Sequence, residues 1–292
     1  MTAATATPTS PTAGTAATSD RRTLRVEECM GTVFTIDIRD PGHWAAAVDE
    51  VVDWLHHVDE VFSTYKDTSD ISRIRRGDLT VEGADPDVGP VLAMCAQLET
   101  ETGGRFSAYY DGTLDPTGLV KGWAIERASA LLRTRGSANH AVNGGGDIQI
   151  AGEAAPGSPW VVGISDPFDR SRVLTTVSGR DFAIATSGTG ERGSHIIHPL
   201  TRQAVPGLTS VTITGRRLSR VDAYATAAVA MGPQALGWIA QQPGHEGFVV
   251  TADHRITMTA GFHRPAGPPP LVRRTPPAEP PRTRWRRAPS AR

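Results

Sequence analysis

The sequence predicts an α+β fold with largely antiparallel sheets and packed helices. Short apolar segments of strand type come in groups between longer helical segments, without the strict alternation that parallel sheets require. The chain has 292 residues, enough for one large domain or two small ones, and 39% of them are hydrophobic. Aromatic residues make up only 6%. We therefore expect a core built mainly from Val, Ile, Leu and Ala.

Each element is predicted from its hydrophobic period and from the turn residues that bound it. Apolar residues at helical spacing predict three helices, at 43–62, 88–102 and 120–135. Alternating or short apolar runs predict strands at 32–39, 141–150, 160–165, 173–178, 182–186 and 210–215. An alanine-rich stretch predicts a fourth helix over 221–231, and the residues after it predict a hairpin over 247–259.

Composition divides the chain into a polar leader at 1–22, a globular domain at 23–263 and a Pro/Arg-rich tail at 264–292. Neither the leader nor the tail can bury a core, so both are expected to be disordered. The tail carries eight Arg and one Glu, which leaves the rest of the chain with a formal charge of about −8. An acidic domain argues against nucleic acid as the main ligand.

The compartment is predicted from what the sequence lacks. No apolar run reaches transmembrane length, and the leader has neither the basic nor the apolar part of a secretory signal. We therefore expect a cytoplasmic protein without membrane insertion. Cys29 and Cys95 stand apart from any motif and are predicted to be buried thiols rather than zinc ligands or a disulfide.

The most informative pair lies on the helix predicted at 221–231. Asp222 and Thr226 are one helical turn apart, so their carboxylate and hydroxyl share one face. Two hard oxygen donors at this spacing suit Mg²⁺. The alternative is that Asp222 caps the helix and Thr226 packs against its neighbours.

Two turn-like stretches add to this pair. Residues 143–147 read Asn-Gly-Gly-Gly-Asp, which fits close approach by a ligand as well as a bulged turn in which Asp147 bonds its own backbone. The turn at 114–118 exposes backbone groups that can bind a metal or a phosphate. Lys121, predicted to begin the following helix, indicates an anionic partner because the helix dipole disfavours a cation there. The alternative is a lysine that extends into solvent.

A glycine motif at 188–193 matches G-x-G-x-x-G. The dinucleotide fingerprint needs a helix to begin on those glycines, whereas a strand ended by Pro199 is predicted here. We interpret the segment as a tight hairpin. His195 and His198 follow it and are too few for a closed zinc site.

Taken in order, these segments resemble the ApbE family of FAD:protein FMN transferases over residues 24–262. The resemblance is carried by the segments at 30–32, 62–65, 69–72, 104–106, 115–122, 143–148, 185–188, 195–199, 222–226 and 231–232. The family usually has Asp where this chain has Ser107 and His198.

The resemblance implies an ApbE-like flavin transferase fold that binds FAD together with Mg²⁺. By position it implies FAD contacts at Met30, Tyr65, Arg105, Phe106, Ser107, Asp115, Lys121 and Ile197. It places the metal on the Gly118 carbonyl and the side chains of Asp222 and Thr226. His195, as general base, and Asp222 are then the expected catalytic residues.

The implied reaction is transfer of FMN from FAD to a threonine hydroxyl of an acceptor protein, with release of AMP. FAD and an acceptor protein that carries a threonine flavinylation motif are therefore the expected partners. Two alternatives stay open: a Mg²⁺-dependent FAD pyrophosphatase that uses water as nucleophile, and a flavin-binding protein without activity.

Overall fold

The computed structural model describes residues 22–188 and 207–262. Within them the predicted α+β class is confirmed, because helices pack on sheets whose strand pairs run antiparallel. The predicted disordered leader as far as residue 21, the predicted disordered tail, and the segment 189–206 with His195, Ile197 and His198 lie outside the described residues.

The described chain contains ten strands and six α-helices. The strands are β1 Thr23–Cys29, β2 Thr32–Ile38, β3 His140–Gly144, β4 Asp147–Ala151, β5 Trp160–Ser165, β6 Val173–Gly179, β7 Ala183–Gly188, β8 Leu208–Gly215, β9 Glu246–Thr251 and β10 Ile256–Met258. The helices are α1 Ala45–Phe62, α2 Asp70–Arg76, α3 Val88–Glu101, α4 Thr117–Thr134, α5 Leu218–Met231 and α6 Ala235–Ile239. None of the helices so described is long and apolar enough to cross a membrane.

Eight strands form one sheet in the order β1-β2-β3-β4-β7-β8-β9-β10, and β5 pairs with β6 separately. The sequence predicts one interrupted strand at 141–150, but the chain reverses there. Gly144 pairs with Asp147 across a turn made by Gly145 and Gly146, whose φ angles are 61° and 101°. Two successive positive φ angles are typical of a tight hairpin turn and are accessible to glycine without a steric penalty.

The core lies on the two faces of the large sheet. On one face α1, α4 and α5 pack against side chains of the sheet in a single apolar cluster that includes Phe34, Leu55, Ile125, Val211 and Val221. On the other face the β5–β6 hairpin covers a smaller cluster formed by Ile164, Ile184, Phe248, Val250 and Phe262. The fold therefore has three layers, with α5 buried along most of its length.

Helix α4 begins at Thr117, three residues before the predicted start. The Asp115 carboxylate accepts the Thr117 N–H at 3.0 Å and the Thr117 hydroxyl at 2.6 Å. These bonds satisfy a donor that the first helical turn leaves unpaired. Lys121 therefore lies in the second turn, and the prediction that it begins the helix is wrong.

Helix α5 begins at Leu218, so Asp222 lies inside the helix and is only 4% exposed. The interpretation of Asp222 as a helix cap is therefore wrong. Arg217 occupies the cap position and makes no capping bond through its side chain. Strand β1 and helices α2 and α6 were not predicted from the sequence.

Candidate active site

The site is built where α4 packs against α5. Gly122 of α4 faces Asp222 of α5, and its N–H donates to Asp222 Oδ2 at 3.0 Å. A Cβ on Gly122 would lie 2.7 Å from the Asp222 Cβ and 2.8 Å from the Leu218 carbonyl oxygen. Because real Cβ atoms do not approach so closely, glycine at this position lets the two helices come near enough for a backbone-to-carboxylate bond.

The three predicted metal ligands meet at this contact. Thr226 follows Asp222 by one turn, and a Cβ on Gly118 would lie 3.9 Å from Thr226 Cγ2. In a regular helix the Gly122 N–H bonds to the Gly118 carbonyl. Here the same N–H donates to a carboxylate, which competes with that carbonyl for the donor. A carboxylate, a hydroxyl and a carbonyl are oxygens of the kind that Mg²⁺ prefers, so these residues fit the metal.

A cavity of about 950 Å³ opens beside this contact. Ten of the predicted site residues line it: Met30, Tyr65, Arg105, Phe106, Ser107, Asp115, Gly118, Lys121, Asp222 and Thr226. The volume is near the upper end of the range for small-molecule sites. The roles of these ten residues stay predictions, as do those of His195 and Ile197 outside the described residues.

Cationic side chains form part of the lining, and those that the structure describes are Lys66, Arg105, Lys121 and Arg170. Lys66 pairs with Asp59 at 2.6 Å, and Lys121 pairs with Asp147. The Nε atom of Arg105 is buried and has no hydrogen-bond partner among the described residues. A buried donor costs free energy until an acceptor reaches it. Arg105 therefore suits an oxygen-bearing ligand.

The β3–β4 turn closes one side of the cavity. Gly145 lines the cavity, and a Cβ there would lie 2.8 Å from Thr32 Oγ1. A Cβ on Gly144 would lie 2.6 Å from the Phe34 ring. The glycines therefore form a turn and also permit close approach, in this case to side chains of β2.

Asp147 was not predicted as a site residue, but it contacts the cavity-lining residue Lys121. It is 1% exposed, its Oδ1 accepts the Thr186 N–H at 3.0 Å, and its Oδ2 contacts the Lys121 ammonium. These partners correct the interpretation in which Asp147 bonds its own backbone. The preceding glycines signalled special geometry, but they could not indicate partners that come from α4 and β7.

Two lining residues were not among the predicted site residues. Arg170 lies in the loop between β5 and β6 and reaches the cavity from the second sheet. The Ser187 hydroxyl lies 3.3 Å from Thr226 Oγ1, between β7 and α5. Ser187 falls in the segment 185–188 that carries the family resemblance, whereas Arg170 belongs to no motif that marks a site.

Asp115 and Tyr110 lie together at the cavity wall. Asp115 Oδ2 lies 3.6 Å from Arg75 Nη2, so α2 helps to hold the turn that leads into α4. Burial, together with the nearby Asp115 charge, raises the pKa of Tyr110. The phenol therefore keeps its proton at neutral pH and can donate a hydrogen bond into the cavity.

The two cysteines are buried and free, as predicted. Burial raises the pKa of Cys29 to about 11 and that of Cys95 to about 12. Both side chains therefore remain thiols at neutral pH, and a thiol is a poor nucleophile and metal ligand.

A second group of metal-binding residue types lies outside the cavity. His57, Asp85 and Asp87 bring their ligand atoms within 4.8 Å of one another, but all three are exposed or half-buried. None of them lines the cavity. Since exposed acidic groups are common without a metal, this group serves best as a control for experiments on the cavity.

Fold and site together define a class of protein. The fold is α+β, and its large cavity carries hard oxygens on one wall and cationic side chains around them. An arrangement of this kind suits a phosphate-bearing ligand of nucleotide size that is bound together with a divalent cation.

The chain belongs to the ApbE family, whose model matches residues 30–112 and 110–249. The FAD:protein FMN transferase of Vibrio cholerae serotype O1 is 32% identical over 131 residues, which cover 41% of this chain and 39% of that protein. The FAD:protein FMN transferase of Rhodobacter capsulatus is 34% identical over 139 residues, which cover 45% of this chain and 26% of that protein. The chain thus spans about two fifths or less of the length of these curated relatives.

Solved structures show the same fold over most of the chain. The ApbE protein of Thermotoga maritima matches with a TM-score of 0.74 at 20% identity, covering 83% of this chain and 98% of that one. The flavin transferase ApbE from Vibrio cholerae matches with a TM-score of 0.72 at 20% identity and the same coverage. The predicted ApbE-like fold is therefore confirmed.

Proposed function

We propose that this protein transfers FMN from FAD to a threonine hydroxyl of an acceptor protein in a Mg²⁺-dependent reaction that releases AMP. One observation carries the proposal: Gly118, Asp222 and Thr226 meet at the wall of a cavity of about 950 Å³ in a chain of the ApbE family. Relatives that bear the name FAD:protein FMN transferase support the same reaction class.

The cavity offers separate contacts for the parts of FAD. The Tyr65 ring is 91% exposed at the cavity and is free to pack against a planar ring. The buried Nε of Arg105 is placed to donate to a ligand oxygen. Phe106 is buried against α4, where a Cβ on Gly118 would lie 3.2 Å from its ring, so it fixes the apolar wall beside the metal ligands.

The oxygens on α4 and α5 explain a requirement for a divalent cation. Mg²⁺ bound there would offset the charge of the pyrophosphate and stabilise the charge that develops on the departing AMP. The Gly122 N–H fixes the Asp222 carboxylate by donating to Oδ2. The carboxylate is thus oriented before any ligand arrives, which lowers the cost of binding.

The proposed step is displacement at phosphorus. The threonine oxygen of the acceptor bonds to the phosphorus atom on the riboflavin side of FAD, and the bond from that phosphorus to the bridging pyrophosphate oxygen breaks. AMP departs with the electron pair of the broken bond, and the threonine proton passes to a base, for which His195 stays the candidate. The FMN group is left on the acceptor as a phosphoester.

The proposal is tested by accounting for all products. The protein is incubated with FAD, Mg²⁺ and an acceptor domain, and AMP, free FMN and protein-bound flavin are quantified. We expect AMP and protein-bound flavin in equal amounts. AMP with an equal amount of free FMN would identify a pyrophosphatase, and FAD binding without AMP would identify a flavin-binding protein.

A further inference from the structure

The first turn of α5 is capped by residues of other elements. Arg217 occupies the cap position and makes no capping bond through its side chain. Instead, Oε2 of Glu126 on α4 accepts the Ser219 N–H at 2.9 Å and the Ser219 hydroxyl at 2.6 Å. Oε1 of Gln149 on β4 accepts the Leu218 N–H at 3.0 Å. Donors that the start of a helix leaves unpaired are thus satisfied only while α5 stays in place against α4 and β4.

The bond from Glu126 lies at one end of a row of three close approaches between α4 and α5. From that end they pair Glu126 with Ser219, Gly122 with Asp222, and Gly118 with Thr226. Neighbouring members lie three or four residues apart on each helix, which is about one helical turn. Since the numbers fall along α4 while they rise along α5, the two helices run antiparallel here. The proposed metal ligands occupy the second and third positions of the row.

We infer that Glu126 is a positioning residue that fixes α5 along the axis of α4 and thereby sets the spacing of the metal ligands. The inference rests on the proposed metal site. A slide of α5 by one residue would move Asp222 by about 1.5 Å. Mg²⁺ demands near-ideal octahedral geometry, so a displacement of this size would separate ligands that must reach the same ion.

Glu126 is better suited to hold this position than the other two members of the row on α4. Gly122 contributes one N–H to Asp222, and Gly118 has no side chain to interlock with its neighbour. The Glu126 carboxylate makes two charge-assisted hydrogen bonds to Ser219, which is 3% exposed. Such bonds are about twice as strong as neutral ones, and a negative charge is favoured at a helix N-terminus.

The test separates the position of α5 from its stability. Glu126→Ala removes both bonds to Ser219. It should lower the midpoint of urea unfolding and raise the Mg²⁺ concentration that half-saturates FAD binding, followed by flavin fluorescence, by about tenfold. Adding Arg217→Asp gives α5 a cap of its own, because Asp at a cap position accepts an N–H of the first helical turn.

We expect the added cap to recover the unfolding midpoint but not the Mg²⁺ requirement, because a cap within α5 holds nothing against α4. Recovery of both would show that Glu126 acts only by stabilising the helix, and this result would overturn the inference. Where Glu126→Ala alone does not fold, the double variant is compared with wild type. A raised Mg²⁺ requirement then supports the inference, and a wild-type requirement contradicts it.

Two controls exclude simpler explanations. Arg217→Gln breaks the 2.8 Å ion pair with Glu126 but leaves the capping bonds, so the Mg²⁺ requirement should not change. Asp40→Ala removes a carboxylate outside the cavity lining that accepts the Ala138 and Asn139 N–H groups, both at 2.8 Å. It should lower the unfolding midpoint and keep the wild-type Mg²⁺ requirement. A raised requirement in Asp40→Ala would mean that any loss of stability weakens Mg²⁺ binding, which contradicts the inference.

Asp222→Asn keeps failure of the inference distinct from failure of the metal site. If Asp222→Asn needs the same Mg²⁺ as wild type, the proposed metal site is wrong. If Asp222→Asn loses the Mg²⁺ response while Glu126→Ala keeps the wild-type requirement, only the inference is wrong.

Discussion

Asp222 combines properties that a metal ligand needs and that a surface carboxylate lacks. It is 4% exposed, it accepts a backbone N–H at 3.0 Å, and it borders a large cavity. The i, i+4 spacing to Thr226 could be recognised in the sequence, because helical geometry alone places both on one face. The contact with Gly122 could not be recognised, since the two residues are a hundred positions apart.

Replacing Asp222 with Asn should lower the rate of FMN transfer by about 100-fold or more, because the metal loses its charged ligand. FAD binding should also cease to respond to Mg²⁺, as fluorescence titration can show. Asp87→Asn, in the surface group with His57, is the matched control and should behave as wild type. Equal Mg²⁺ dependence in both variants would place the metal elsewhere.

A second residue-scale prediction concerns His140, which is fully buried between two hydroxyls. Its Nε2 lies 2.8 Å from Ser129 Oγ and its Nδ1 lies 2.9 Å from Ser137 Oγ. Burial lowers the pKa of His140 from 6.5 to about 4. Between those values the unfolded chain binds a proton that the folded chain does not, so acidification favours unfolding.

The contribution of His140 to stability is therefore complete above pH 6.5 and is lost as the pH falls towards 4. The full loss is about 3 kcal/mol. Urea unfolding of wild type and His140→Gln at about pH 7 and about pH 5 checks this. The variant should show the smaller decrease in unfolding free energy between the two pH values. An equal decrease in both proteins would show that His140 does not titrate on unfolding.

At the scale of elements, the contact between α4 and α5 determines the site. Strong hydrophobic periods allowed α1, α3 and α4 to be predicted to within a few residues. β1 and α2 were missed for physical reasons: β1 is an edge strand that exposes Leu24 and Val26, and α2 has only seven residues, four of them charged. The sequence predicts one strand where the structure has the β3–β4 hairpin, because the turn consists only of Gly145 and Gly146.

Gly122→Ala tests the close approach of the two helices. The added methyl group would lie 2.7 Å from the Asp222 Cβ, and overpacking of this kind costs roughly 1–3 kcal/mol. Because alanine favours the helix by about 1 kcal/mol, we expect a net loss of up to about 2 kcal/mol in unfolding free energy and a weaker Mg²⁺ response.

Gly237→Ala in α6 is the control for that substitution, since a Cβ there meets no atom of the described residues within 4 Å. It should leave stability unchanged or raise it slightly. Urea unfolding curves of the two variants provide the comparison. If Gly122→Ala is as stable as Gly237→Ala and keeps the Mg²⁺ response, the helices do not need the glycine.

At the scale of the molecule, the α+β fold class could be predicted from composition and from the grouping of strands. The cavity could not be predicted in this way. The cavity wall combines the β3–β4 turn, several loops, the faces of α4 and α5, and the loop between β5 and β6. No spacing in the sequence relates these segments. The family resemblance supplied ten of the residues that line the cavity. Arg170 was not among them, because it reaches the cavity through the packing of the loop between β5 and β6. The partners of Asp147 could not be predicted, because they come from α4 and β7.

The most direct test of the central claim is the intact mass of a candidate acceptor protein co-expressed with this chain. A paired acceptor with alanine in place of the target threonine is the control. We predict that the threonine acceptor gains the mass of one FMN phosphoester, that the alanine acceptor gains nothing, and that Asp222→Asn in the transferase abolishes the gain. An unmodified threonine acceptor, in cells where this protein releases AMP from FAD, would contradict the account.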